Sequence, residues 1–457
     1  MTDALDFLRT YTSFPSVSTD PAFAEGMDGA RTFLARQLER LGFAVETVPT
    51  ALHPILLAQR GKPGDPHVVI YSHYDVQPAD PLELWTTPAF EASVRDGRIY
   101  ARGAADNKGP TTVQFFGLKR LLELRPDLPL RITWLIEGEE ETGSPSIPKF
   151  LAERGAEIGE ADMIVMSDTG SMSPEQITLT TALRGLVGAE VRVTGPRVDL
   201  HSGVHGGAVR NPVQALAKLL ATLHNDDGTV NLPGFYDGVV PPHAWEREQL
   251  ARLSTSEAAY RDFLGVPEFF TASGLSPFEA TRFAPTLEFN GIGGGYQGSG
   301  SKTIIPSHAF AKITCRLVAN QDASAVAASL KAALQERCPR GCTVEAKAEV
   351  GGAPYLVVPP HRPNTPADQP RRLAAAFEAA DAAIAAHFGS PPLYLREGGS
   401  VPIIGQLKAA TGLEAVMIGL FCPEDNLHAP DESMSLNMIE RGIAAYEQLF
   451  EAIADAG

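Results

Sequence analysis

The sequence predicts an α/β protein whose main sheet is interrupted by a small α+β insertion. Three observations carry that reading. Strand-like and helical stretches alternate through the first third, with His67–Tyr71, Arg131–Ile136 and Met163–Ser167 as strands. A helix through Val113, Phe116, Leu118 and Leu121 and a short helix Ile147–Glu153 lie between them. That order belongs to an open, largely parallel or mixed sheet with helices on its faces. From about Arg184 the pattern changes to an alternating strand, Val187–Thr194, followed by helix, strand, strand, helix and strand. This is the order of a small α+β sandwich. Beyond the Pro-rich stretch Pro359–Pro370 the α/β pattern returns, so the first unit is discontinuous and residues near 184–360 are inserted.

Each element has a local reason. Ala30, Phe33, Leu34, Leu38 and Leu41 recur at helical spacing, and Gly42 stops the helix. Phe43–Val48 and Leu52–Ala58 read as strands. His67–Tyr71 is short and apolar in the manner of strands buried on both faces. Pro110 stands where a first helical residue would. In the insertion, Pro212–Leu223 and Ala323–Gln335 are helical, and Thr303–Ile305, Phe310–Val318 and Thr343–Val350 are strands. Asn225–Ser276 is polar, with scattered Pro and Gly, and reads as a long excursion. Leu373–His387, Ala415–Phe421 and Leu436–Ile453 then supply helix, strand and a terminal amphipathic helix. Gly293–Gly298, GGGYQG, fits G-x-G-x-x-G, but it runs into a strand instead of opening a helix. That excludes a dinucleotide site and leaves a flexible loop near substrate.

Composition narrows the function. A chain of 457 residues exceeds one ordinary core, so two domains are expected. A net charge of -17 argues against nucleic acid or an anionic membrane as partner. No signal peptide is read in MTDALDFLRT, and no apolar run suits a bilayer. Four scattered cysteines suggest idle thiols in a reducing cytoplasm.

The chemistry centres on Arg131–Ser144, RITWLIEGEEETGS, where a strand ends in Glu137, Glu139, Glu140 and Glu141. Alone, this reads as a solvated acidic turn. Packed together, such acids cost Coulomb energy unless a cation sits among them or water surrounds them. Two further fragments supply partners. Val68–Asp75 is an apolar strand ending in His73 and Asp75, and Ala101–Gly109 holds Asp106 in a glycine-flanked loop. His, Asp and Glu at the carboxyl ends of strands suggest a metal centre at the edge where α/β sheets place their sites. Asp75, two residues from His73, points the same way and suits the orientation of a ligating imidazole. Asp168 ends the next strand, and His428 follows the strand Ala415–Phe421, so it can return to the same edge. His201 and His205 are spaced as a helical zinc pair, but Gly203, Gly206 and Gly207 oppose a helix and no Glu stands between them. His201 is better read as a hydrogen-bond donor on a loop.

SHYDVQP, ARGAADNKGP, EGEEETGS, MSDTG, DLHSGVHGGAVRNP, GSGSKTIIP, REGGSVP and LHAPDE occur in this order along the chain. As a set they resemble the carnosinase and cytosolic non-specific dipeptidase branch of the dinuclear zinc exopeptidases (peptidase clan MH). More distant relatives of that branch are carboxypeptidase G, aminoacylase and succinyl-diaminopimelate desuccinylase. The resemblance implies a phosphorylase/hydrolase-like catalytic domain over residues 1–184 and 361–457. An inserted ferredoxin-like α+β lid and dimerisation domain is implied over 185–360. It implies two divalent ions, Zn²⁺ or else Mn²⁺, bridged by Asp106. His73 and Asp168 would complete one site, and Glu141 and His428 the other. Asp75 would orient His73, and Glu140 would be the general base. His201 would reach the site of a second subunit, and Arg316, Thr303, Glu397 and Ser400 would contact substrate. The implied activity is hydrolysis of small peptides by a cytoplasmic homodimer, with deacylation of N-acyl amino acids as the alternative. One departure stands out: Asn107 occupies a position where the family often has Asp.

Overall fold

The computed structural model describes residues 1–271 and 274–456. Its main sheet has nine strands. The central four are parallel neighbours: Arg131–Glu137, His67–His73, Met163–Met166 and Ala415–Ile418. Their interior residues are almost wholly buried, which explains why they are apolar without alternation. Antiparallel strands Ile55–Arg60 and Ala44–Val48 extend the sheet on one side. Thr178–Leu183, Tyr355–Leu356 and Leu393–Arg396 extend it on the other.

Helix Lys108–Leu124 connects His67–His73 to Arg131–Glu137, and helix Ile147–Ile158 connects onward to Met163–Met166. The two crossovers run in opposite directions along the sheet, so their right-handedness places these helices on opposite faces. Lys108–Leu124 packs on the terminal helix Leu436–Asp455, which in turn packs on Arg371–Phe388. The terminal helix buries Met438, Ile439, Ile443, Tyr446, Leu449, Phe450 and Ile453, the stripe expected of an amphipathic helix. A side chain at Gly117 would put its Cβ 2.7 Å from Tyr446 Cβ, so glycine permits this close helix crossing.

The inserted unit has its own core. Its four antiparallel strands lie in the order Thr286–Gly294, His308–Leu317, Gly185–Thr194 and Thr343–Gly352. Helices Pro212–Ala221 and Ala323–Glu336 pack against this sheet. In chain order this is the split β-α-β-β-α-β arrangement. Strand Gly185–Thr194 alternates buried and more exposed residues, as a sheet with one covered face requires.

The polar excursion differs from its sequence reading. It contains helices Ala244–Leu250 and Glu257–Leu264, and Pro277–Phe283 follows just beyond it. Trp245 lies in the core of the main sheet, and Glu246 makes a buried two-bond ion pair with Arg396, at 2.7 and 3.1 Å. The helices are too short for periodicity to reveal them. Their caps were nonetheless present in the sequence: Ser256 Oγ accepts from Ala259 N–H, and Ser276 and Glu279 form a capping box before Pro277. No helix among the described residues is long and apolar enough to cross a membrane.

Candidate metal centre

The four parallel strands end at one edge, and their following loops meet there. His73 is the last residue of its strand and wholly buried. Its Nδ1 lies 3.1 Å from Asp75 O and 3.3 Å from Asp75 Oδ1. Both are acceptors, so Nδ1 carries the ring proton. Nε2 then presents its lone pair to Asp106 Oδ1 at 3.1 Å and Asp168 Oδ1 at 3.8 Å. A lone pair facing carboxylate oxygens requires a cation or a second proton between them. Burial opposes an imidazolium at His73, but its bonds to Asp106, Asp168 and Asp75 hold its pKa well above the usual value.

The other oxygen of Asp106, Oδ2, lies 3.0 Å from His428 Nε2, and Glu141 Oε2 lies 3.6 Å from that nitrogen. Asp106 therefore divides its two oxygens between two histidines. The ligand-type atoms of His73, Asp106 and Asp168 form one close group, and those of Asp106, Glu141 and His428 form a second. Burial works against the Asp106 carboxylate, but His428 and His73 bring its pKa below the ordinary carboxylate range. Burial, reinforced by Asp106, pushes Glu141 up to about 8. Glu141 Oε1 is buried with no hydrogen-bond partner, while Gln77 Nε2 donates to Oε2 at 2.7 Å. An orphaned carboxylate oxygen, imidazole lone pairs and carboxylates in two groups sharing one Asp fit a pair of divalent cations.

Glu140 belongs to neither group. Burial, with Asp168, Glu141 and Asp106 close by and only His73 opposing, raises its pKa well above normal. The remaining acids of the turn face elsewhere. Glu137 accepts from Tyr71 and Ser144 hydroxyls, each at 2.9 Å. Glu139 accepts from Thr50, His53 N–H and Ser146 and so holds the turn to a neighbouring loop.

The supporting roles of several residues, Asn107 among them, escaped the sequence reading. Asn107 Nδ2 donates to Asp168 Oδ1 at 2.8 Å and to Ser167 O at 3.0 Å. An ionised Asp could make neither bond, so the amide has a positioning role here beyond its lack of charge. Glu432 accepts four bonds of 2.7–2.9 Å, from Arg102 and from the backbone N–H groups of Gly103, Ala105 and Asp106. Arg102 also donates to Pro78 O and Ala429 O. This buried pair ties together the loops carrying His73, Asp106 and His428. His428 has φ of 58°, a left-handed conformation unusual for a non-glycine residue. Its loop is also held by Asp431, whose carboxylate accepts from Thr86 N–H and Oγ1. The signal available in sequence was the acid of LHAPDE, but nothing in its spacing says which backbone it caps.

The remaining candidates fall into two places. Arg316 donates to Ser400 at 2.7 Å across the two cores. Glu397 Oε2 lies 3.5 Å from the position a Cβ would take on Gly170, two residues beyond Asp168. Elsewhere, His201 pairs with Ile304, and Ser202 N–H donates to Thr303 O, so His201 and Thr303 are neighbours. His201 is exposed and belongs to neither metal-type group. Its Nδ1 accepts from Gly203 N–H at 3.1 Å, which makes Nε2–H the free donor of the neutral ring.

Known proteins share this arrangement of chain and fold. The model for Peptidase family M20/M25/M40 matches residues 69–452. The Cys-Gly metallodipeptidase of Schizosaccharomyces pombe is 27% identical over 453 residues, spanning 95% of this chain and 92% of that protein. The human Beta-Ala-His dipeptidase is 28% identical over 452 residues, 94% of this chain and 86% of its own. Among solved structures, an M20 family metallo-carboxypeptidase from Sulfolobus solfataricus superposes with a TM-score of 0.86 at 30% identity, over 100% of both chains. Human carnosine dipeptidase 1 gives 0.82 at 27% identity, over 99% of this chain and 96% of its own. With its strand-edge cluster of His, Asp and Glu and a family match over most of its length, the chain belongs to peptidase family M20/M25/M40.

Proposed function

We infer that this chain is a metal-dependent dipeptidase, with catalytic residues gathered at the carboxyl edge of the main sheet. The observation that carries the reading is Asp106, whose two oxygens serve two His-and-carboxylate groups while Glu140 stands beside both. His73, Asp106 and Asp168 would hold one ion, and Asp106, Glu141 and His428 the other, with Zn²⁺ favoured by the imidazoles and Mn²⁺ compatible with the carboxylates. Bound there, the ions would supply Lewis-acid polarisation of a carbonyl and acidification of water. Glu140 takes the proton of the attacking water and returns it to the leaving amine. Asp75 keeps the His73 ring in its orientation through Nδ1. Arg316 and Ser400, which already meet between the two cores, and Glu397 beside Gly170 bind the substrate's ends. The inserted unit is taken to begin near residue 184 and to end before Tyr355–Leu356, which joins the main sheet ahead of the expected boundary at 360, while Trp245 packs back into the main core. Closure of that unit over substrate is its mechanical role. The free cysteines suit a cytoplasmic setting.

The test is a panel of dipeptides, tripeptides and N-acyl amino acids, assayed after chelation and again after adding back Zn²⁺ or Mn²⁺. Dipeptides cleaved only after metal return support the reading. Turnover confined to N-acyl amino acids would replace it with a deacylase.

A homodimer through the inserted unit follows from the same reading. Val204, Ile292, Tyr296 and Phe310 on that unit are exposed apolar side chains, and His201 has a free Nε2–H donor outside both metal-type groups. We assign that donor to the oxyanion formed in a second copy's site. His201→Ala and Glu140→Gln chains should each be nearly inactive. Mixed under subunit exchange, they should regain up to about half of wild-type activity per heterodimer, because one site is then intact. If His201 acts within its own chain, mixing restores nothing.

A further inference from the structure

A cavity of about 530 Å³ opens beside the candidate metal centre, and of its lining only Glu397, beside Gly170, has so far been given a part in the chemistry. Its near wall includes Gly170, just beyond Asp168, and Leu427, just before His428. Its far wall includes Tyr260 and Phe278, whose rings stack at 5.2 Å. Tyr260 comes from the short helix Glu257–Leu264 of the excursion and Phe278 from Pro277–Phe283 just beyond it, neither of which the sequence reading found.

Three charged residues line the cavity: Arg282, Arg396 and Glu397. Arg396 is committed to Glu246 through two bonds. Arg282 has no such partner. Its Nη1 reaches Phe278 O at 3.3 Å and Thr281 Oγ1 at 3.1 Å, and Nη2 lies 3.5 Å from Met172 Sδ. Its Nε is buried with no hydrogen-bond partner. Among the described residues no carboxylate lies within ion-pair distance of it. Burial lowers its pKa, and Glu397 is the main opposing influence. A half-buried guanidinium with only a distant carboxylate, Glu397, and no direct ion pair is costly, and an anion entering the cavity would relieve that cost.

We propose that Arg282 is a specificity residue that binds a carboxylate on the N-terminal residue of the substrate. The preferred class is then dipeptides whose first residue is acidic, through an α-linked side chain or a γ-linked main-chain carboxylate. This rests on the dipeptidase reading above. Two features select that end of the substrate. Among the described residues Glu397 is the one carboxylate lining the cavity, and it suits the substrate's ammonium group. Arg316, bonded to Ser400, does not line this cavity, so the C-terminal carboxylate has a separate cation. Arg282 therefore faces what remains of the first residue, and its planar fork matches a carboxylate.

The experiment compares kcat/KM for Glu-Ala, γ-Glu-Ala, Gln-Ala, Ala-Glu and Ala-Gln in metal-restored wild type, Arg282→Met and Arg282→Lys. Wild type should prefer Glu-Ala or γ-Glu-Ala over Gln-Ala by about tenfold or more, and whichever is preferred identifies the source of the carboxylate. Arg282→Met should bring that ratio close to one, and Arg282→Lys should keep part of it. The Ala-Glu to Ala-Gln ratio should be the same in all three. A wild type without the preference overturns the proposal whatever the variants do. So does a ratio unchanged in Arg282→Met, which would leave Arg282 merely bracing its own helix. If Arg282→Met fails to fold, a full wild-type ratio in Arg282→Lys overturns the proposal, because an ammonium lacks the fork. Cleavage of no dipeptide at all would instead defeat the dipeptidase reading.

Discussion

Asp106→Ala should abolish dipeptide hydrolysis, and added Zn²⁺ or Mn²⁺ should not restore it. Asp106 alone appears in both metal-type groups, with Oδ1 toward His73 and Oδ2 toward His428. Alanine leaves His73 with Asp168 and His428 with Glu141, two ligands each, where three protein ligands are usual for a catalytic ion. The measurement is metal content by elemental analysis together with melting temperature, each with and without added metal. A ligand that binds only the folded state stabilises it by about 2.7 kcal/mol at 100 times its Kd. Wild type should therefore melt several degrees higher with metal, and Asp106→Ala should show little or no such rise. The metal-dependent difference is the useful quantity. The substitution also deletes the His73 and His428 contacts, so the absolute melting temperature will move for that reason too. Two ions retained by the variant would remove Asp106 from the bridging position.

Much of this site could be read from the chain because a buried parallel strand leaves a clear signature. An uninterrupted apolar run such as Val68–Tyr71 can bear polar ligands only at its end. His73, Asp106, Glu141, Asp168 and His428 were all found by that logic or by the motif set, and they converge in the structure. The acidic turn was harder. Strand periodicity stops at Glu137, so nothing in EGEEE says that Glu137 turns to Tyr71 and Ser144 or that Glu139 braces Thr50 and His53. The backbone caps made by Glu432 were invisible for a related reason, since acceptors of main-chain N–H groups need no partner side chain of any type. Strand Thr178–Leu183 was missed because its buried threonines interrupt the apolar run. Strand Leu393–Arg396 is only four residues long. The short helices around Arg282 were hidden among Pro and Gly, and so was the cavity they enclose.

Glu140→Gln should separate chemistry from metal binding. Glutamine keeps the shape and removes the base, so both ions should stay, while kcat falls by roughly 10²–10⁴. The position of Glu140 supports that size of effect. Its carboxyl is held above its ordinary range by burial and by Asp168, Glu141 and Asp106. Cations held among those three carboxylates would cancel their repulsion and lower the pKa of Glu140, favouring the ionised carboxylate that a general base requires. The loss should appear in kcat with KM little changed, because the proton transfer belongs to the transition state and not to substrate binding. The alternative is that Glu140 is a third ligand. In that case Glu140→Gln would lose metal, and excess Zn²⁺ would recover much of the rate. Metal content near two per chain with a rate still depressed in excess metal identifies the base. Full metal occupancy with near-normal turnover would take Glu140 out of the mechanism and leave the water's proton to another group at the strand edge.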